Sequence, residues 1–125
     1  MRARDKGNRG ENELCQILSD HLGITVKRRL GAARDGGYDI PLPPYSIECK
    51  RQERLNIPAW WRQTVENAGD QKPLLAFRQN RDEWLVLMRL TDWIALAREE
   101  LDIKASKWGD PYDTVERDDF LERPE

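Results

Sequence analysis

The sequence predicts an α/β fold: a mixed β-sheet flanked by helices, in the order α-β-β-β-α-β-β-α. Three observations carry that prediction. Leu14, Ile17, Leu18 and Leu22 recur at helical spacing near the N-terminus. Short apolar segments in the middle of the chain are bounded by Gly, Pro and polar turn residues, as strands are. A second helical segment, opened by Pro58, separates three strand-like segments from two more.

The first helix spans residues 8–22 and stops at Gly23, which supplies the conformational freedom a helix C-terminus needs. Ile24 to Leu30 alternates as a strand, and Gly31 to Gly37 is a charged loop. A short strand follows around Tyr38–Ile40. Pro41-Leu42-Pro43-Pro44 cannot sustain a ladder and forms a turn or an edge. Tyr45 to Arg51 is the central strand. Ala59 to Ala68 continues the helix begun at Pro58 and ends near Gly69. Leu74–Phe77 and Trp84–Leu90 are strands around the turn Asn80-Arg81-Asp82. Thr91 is placed as an N-cap, with Asp92 in the first turn of a helix over Trp93–Leu101.

At 125 residues, the chain is expected to form one domain over residues 1–108. Residues 109–125, acidic and with few apolar anchors, are expected to be a loosely held tail. No apolar run could span a bilayer and no apolar signal region follows Met1, so a cytoplasmic location is expected. Cys15 and Cys49 are the only cysteines and read as buried, reduced thiols.

The formal net charge of −2 conceals an asymmetry. Residues 1–62 hold 12 Lys/Arg against 8 Asp/Glu, while residues 63–125 hold 9 against 15. The basic half suits contact with phosphate, and the acidic whole argues against tight indiscriminate binding of nucleic acid.

That basic half also holds the most chemically suggestive pattern. Asp39 ends one short strand and Glu48-Cys49-Lys50 lies on the next. Strand side chains alternate, so Glu48 and Lys50 share one face, and Ile47 and Cys49 the other. The short Pro-rich connection brings Asp39 beside Glu48 across a hairpin. Two carboxylates and an amine are the parts needed for a divalent cation and an activated water. Lys27, Arg28, Arg29 and Arg34 precede this pattern, and Arg51 and Arg54 follow it, placed to contact phosphates without reading sequence. His21 and Cys15 are too few for a zinc site.

With Lys6-Gly7-x-x-x-Glu11 on the first helix, Gly37-Tyr38-Asp39 and Glu48-Cys49-Lys50, the chain resembles the PD-(D/E)xK nuclease superfamily. Within it, the resemblance is to archaeal-type Holliday junction resolvases and phage resolvase-like endonucleases. It covers about the first 90 residues in element order. Tyr38 stands where the superfamily's name places a Pro. The resemblance implies a restriction-endonuclease-like sheet and a catalytic set of Glu11, Asp39, Glu48 and Lys50. Glu11, Asp39, Glu48 and the backbone carbonyl of Cys49 are then the expected metal ligands, with Mg²⁺ as cofactor and Mn²⁺ able to substitute. Lys6, Arg28, Arg29, Arg34, Arg51 and Gln63 are the expected DNA contacts. Gln63, on the helix after the lysine strand, would touch the active-site Lys, water or a phosphate. Trp60, Trp61 and Val65 read as packing residues, with stacking on an unpaired base as the alternative for Trp61.

The function expected is a Mg²⁺-dependent endodeoxyribonuclease, structure-selective and akin to a Holliday junction resolvase in DNA recombination. Branched DNA would be its partner and a homodimer its assembly. Two alternatives stand beside it. One is a phage nuclease of the same superfamily that cuts single-stranded or flap DNA. The other is a non-catalytic DNA-binding module of the same fold.

Overall fold

The computed structural model describes residues 3–29 and 39–102, with side chains from Arg9 onward. A four-stranded mixed sheet and three helices are formed, in the order α1 (Ala3–Leu22), β1 (Ile40–Leu42), β2 (Tyr45–Arg51), α2 (Ile57–Ala68), β3 (Lys72–Arg78), β4 (Leu85–Met88) and α3 (Leu90–Glu100). The α/β class expected from the sequence is the one observed.

In the sheet the strands lie in the order β1-β2-β3-β4. β1 runs antiparallel to β2, with Ile40 facing Ile47. β2 and β3 are parallel, with Glu48 beside Leu75 and Lys50 beside Phe77. Parallel neighbours need a crossover, and α2 supplies it. Strand alternation divides β2 as expected. Ile47 and Cys49 join Leu14 and Cys15 of α1, with Val26, Ile40 and Ala76, in the buried core on one side. On the other side Trp60 of α2 packs obliquely on Phe77, its ring centroid 6.3 Å away.

Glycine backbone conformation explains where α1 and α2 end. Gly23 adopts φ +71°, and its N–H donates to Ser19 O at 3.0 Å, closing α1 where expected. Gly69, at φ +58°, ends α2 with another positive-φ backbone, and Pro58 occupies the first turn of that helix.

Two expectations are corrected. Residues 24–29 form no strand. The Ser19 hydroxyl accepts from Val26 N–H at 2.9 Å and donates to Val26 O at 3.3 Å. A helix side chain therefore satisfies the main-chain groups that a strand neighbour would have taken. One bond to the sheet side remains, from Arg29 N–H to Asp39 O at 2.7 Å. Thr91 is not an N-cap: the cap is Arg89, in extended conformation, and Thr91 lies inside α3. Asp92 sits in its first turn as expected, and Arg98 in its last, both matched to the helix dipole.

The chain divides into two compact units, Met1–Leu87 and Met88–Glu125, of which the second holds α3. The expected tail, residues 109–125, lies outside the described residues. So do Gly37, Tyr38 and Arg34, and the side chain of Lys6. No helix among the described residues is long and apolar enough to cross a membrane.

Candidate active site

Glu48 sits in the middle of β2, only 1% exposed. A carboxylate there loses its hydration, so its surroundings decide what it can do. Asp39 brackets it. The Asp39 N–H donates to Ile47 O at 3.0 Å, and Asp39 Oδ2 accepts from the Cys49 N–H at 2.9 Å. Ile40 is the ladder partner of Ile47 as well, so two residues oppose one at this point, as in a β-bulge. That local irregularity turns the Asp39 carboxylate onto β2, against the residue between its two contacts.

The electrostatic result is an acid held protonated. Burial first, and then the Asp39 charge, push the Glu48 carboxyl up to about 8 from its ordinary 4.5. A side-chain hydrogen bond with Asp39 acts in the same direction. The Asn67 amide, whose Nδ2 donates to Glu48 Oε1 at 2.7 Å, and the Lys50 charge oppose it. Lys50 is half-buried, two residues along β2 on the Glu48 face.

Glu11 approaches from α1. Its carboxyl is also raised, first by burial and then by Asp39, while Arg28 and Lys50 pull it down. Glu11 Oε2 lies 3.3 Å from Arg28 Nη1. Asp39 acts on both glutamates and Lys50 draws on both, so the four residues expected to be catalytic share one electrostatic site. Among the described residues, however, no three acidic, His or Cys side chains converge as a ready metal-binding set. The turn of Glu11 toward Arg28 fits that finding. Asp39 and Glu48 with neighbouring main-chain oxygens still suit a hard divalent cation, whose charge would offset the burial and the Asp39 repulsion that together raise the Glu48 carboxyl.

Cys49 and Cys15 are both buried free thiols. Burial pushes each thiol up, and nearby acids add to the shift, so neither is poised as a nucleophile.

The basic residues are distributed unevenly. Arg28 reaches Glu11, Arg29 is tied by its main chain to Asp39, and Lys27 and Arg54 are exposed. Arg51 lies against α1, where a Cβ built on Gly10 would come within 2.9 Å of Arg51 Cβ. Trp60 and Thr64 are buried on the sheet side of α2, Trp61 is half-buried, and Gln63 is exposed one turn before Asn67.

Asn67 is the site residue that sequence reasoning missed. The signal was in the helical wheel. At roughly 100° per residue, position 67 falls within about 20° of buried Trp60, while position 63 lies about 60° away. A polar residue on the sheet-facing stripe, opposite a strand carrying Glu48, marks a partner for that acid.

A family model described as "Phage putative PDDEXK endonuclease" matches residues 2–115. The chain belongs to this family of phage PD-(D/E)xK endonucleases, whose members generally use divalent metals. Protein D14 of Escherichia phage T5 is a relative, 30% identical over 117 residues, with the match covering 72% of each chain. No solved structure matches the chain.

Proposed function

We propose that the chain is a Mg²⁺-dependent, structure-selective DNA endonuclease of the junction-resolvase type. The observation that carries this reading is buried Glu48, bracketed by Asp39, with Lys50 two residues further on the same strand face. A stable core would gain more from an apolar residue at position 48 than from an acid held protonated beside another acid. The geometry is therefore best explained by chemistry.

Asp39, Glu48 and the Cys49 carbonyl would hold the ion, and Glu11 would complete or extend the set. A bound Mg²⁺, or Mn²⁺ in its place, would supply Lewis acidity toward the scissile phosphate and a more acidic water. Lys50 orients the attacking water through its ammonium protons and offsets negative charge growing on the phosphate oxygens. Asn67 fixes one oxygen of Glu48 and leaves the other for the site. Lys6, Arg28, Arg29, Arg34, Arg51 and Gln63 would hold the DNA backbone, so position and shape rather than sequence select the substrate.

Resolution of a four-way junction needs two cuts on opposed strands, which implies a C2 homodimer. Exposed Leu90, Trp93 and Leu101 of the second unit offer the apolar surface such an interface uses. Sedimentation gives a dimer if this is correct; a monomer that cuts junctions and flaps equally well would remove the resolvase assignment but leave the nuclease.

The deciding experiment is a cleavage panel of labelled junction, flap, linear duplex and single-stranded DNA with Mg²⁺. Glu48→Ala and Lys50→Ala should each lower the rate by about 10²–10³-fold or more while DNA binding persists. Wild-type cleavage by either variant would reject the assignment.

A further inference from the structure

A cleft of about 450 Å³ lies beside the candidate site. One wall is α1, with Asn12 and Gln16 at its rim and Cys15 deeper, and the other is the extended segment Val26-Lys27-Arg28. The walls are tied to one another at both ends. Ser19 binds both main-chain groups of Val26 at one end, and Arg28 pairs with Glu11 at the other. Arg28 thus lines the cleft and touches the site, and Cys15 lies one helical turn, about 6 Å, beyond Glu11.

We propose that this cleft receives an unpaired nucleotide of the DNA strand, adjacent to the scissile phosphate. The inference rests on the nuclease reading above and specifies its substrate. The volume is that of a small-ligand site, enough for one nucleotide. The lining divides as a nucleotide does. Buried Val26 and Cys15 give an apolar floor for a base face. Side-chain amides at Asn12 and Gln16 offer the donor and acceptor pairs that match base edges. Gln16 Nε2 gives one proton to Asp20 Oδ1 at 2.8 Å, which fixes that amide and leaves its second proton and Oε1 for the base edge. Exposed Lys27 and half-buried Arg28 stand where the adjoining phosphates would pass.

A base can enter only after leaving its stack. That costs unstacking and unpairing in a duplex and least where the base is already unpaired, as at a branch point, bulge or flap. The cleft therefore selects branched or partly single-stranded DNA over intact duplex.

The test is equilibrium binding of the full chain, followed by fluorescence anisotropy with Ca²⁺ in place of Mg²⁺. The probes are a duplex carrying a short single-stranded branch and the same DNA with one abasic residue at each successive position next to the branch. Wild-type Kd should rise about tenfold for an abasic residue at one position and change little at the others. The Asn12→Ala/Gln16→Ala variant, altered at exposed helix positions, should lose about tenfold on the intact probe and show no further loss at that abasic position, because both changes remove the same contact. Lys27→Ala should instead weaken all probes alike and flatten the salt dependence. Equal Kd at every abasic position, or a double variant of wild-type affinity and unchanged melting temperature, overturns the inference. Cleavage in Mg²⁺ is read on the same DNA. Cutting without abasic sensitivity removes the cleft and keeps the nuclease, while abasic sensitivity without cutting does the reverse.

Discussion

Asn67 donates its side-chain amide to Glu48 across the interface between α2 and β2, at 2.7 Å. This bond is one of two influences that lower the Glu48 carboxyl against burial and Asp39. It also fixes which oxygen of the acid faces away from the helix. If Glu48 binds the cation as proposed, Asn67 would be its positioning residue.

Asn67→Ala should therefore raise the Mg²⁺ concentration needed for half-maximal cleavage by about 10–100-fold, the usual effect of losing an outer partner of a metal ligand. The maximal rate at saturating Mg²⁺ should fall less. A Mg²⁺ titration of cleavage checks this, and an unchanged midpoint with an intact fold would refute the positioning role.

The protonated acid makes metal-free stability depend on pH. Glu48 has its ordinary pKa near 4.5 in the unfolded chain and is pushed up to about 8 in the folded one. Between those values the folded protein holds a proton that the unfolded chain has released, so stability falls as pH rises. The raised Glu11 carboxyl adds to the same trend. Melting in EDTA should show a falling temperature from about pH 5 to about pH 8, of the order of a few kcal/mol in all. Glu48→Gln should flatten that slope, and Mg²⁺ should restore the loss at the alkaline end. A flat wild-type profile would contradict the buried-acid account.

Gly10→Ala tests the packing that places Arg51. The new methyl would sit 2.9 Å from Arg51 Cβ, a stem atom that cannot swing aside, so α1 and β2 must separate. For so short an approach to a stem atom overpacking falls in the upper part of its usual range, about 2–3 kcal/mol, and the better helix propensity of alanine returns about 1. The net loss should be about 1–2 kcal/mol by urea denaturation, with weaker DNA binding. Equal stability would mean that the helix and strand are not held in register at this point.

Glu13 ties α1 to the end of β3 and to the residue before β4. Its carboxylate lies 2.9 Å from Arg78 Nε and accepts from Trp84 Nε1 at 2.8 Å, while the Arg78 guanidinium lies 5.8 Å from the Trp84 ring centre. Glu13→Ala leaves both donors without this partner and should cost about 2 kcal/mol. Denaturation followed by tryptophan fluorescence would measure it; a loss below about 0.5 kcal/mol would place Glu13 among ordinary surface charges.

Most of this architecture was legible in the chain because its signals are local. Gly23 and Gly69 mark helix ends, Pro58 a helix start, and strand alternation separates Glu48 and Lys50 from Ile47 and Cys49. The missing first strand was not legible, because a Ser19 hydroxyl seven residues away takes the main-chain groups of Val26. The limits of α3 also slipped, since Thr91 is a favourable cap by type yet lies inside the helix. At the site, the Asp39–Glu48 adjacency followed from a short Pro-rich connection. The Glu48–Asn67 bond did not, because it depends on the rotation of α2 above the sheet.

If Arg28 contacts DNA and Glu11 the ion, as proposed, the Glu11–Arg28 ion pair, at 3.3 Å, would make substrate and cation allies. Arg28 is the main counter-charge lowering Glu11. A DNA phosphate that draws Arg28 toward itself leaves Glu11 with a stronger demand for positive charge, which a divalent ion can meet. By reciprocity, an ion that engages Glu11 releases Arg28 for the phosphate. Each ligand would then prepare the site for the other, and the complete catalytic arrangement would belong to the ternary complex.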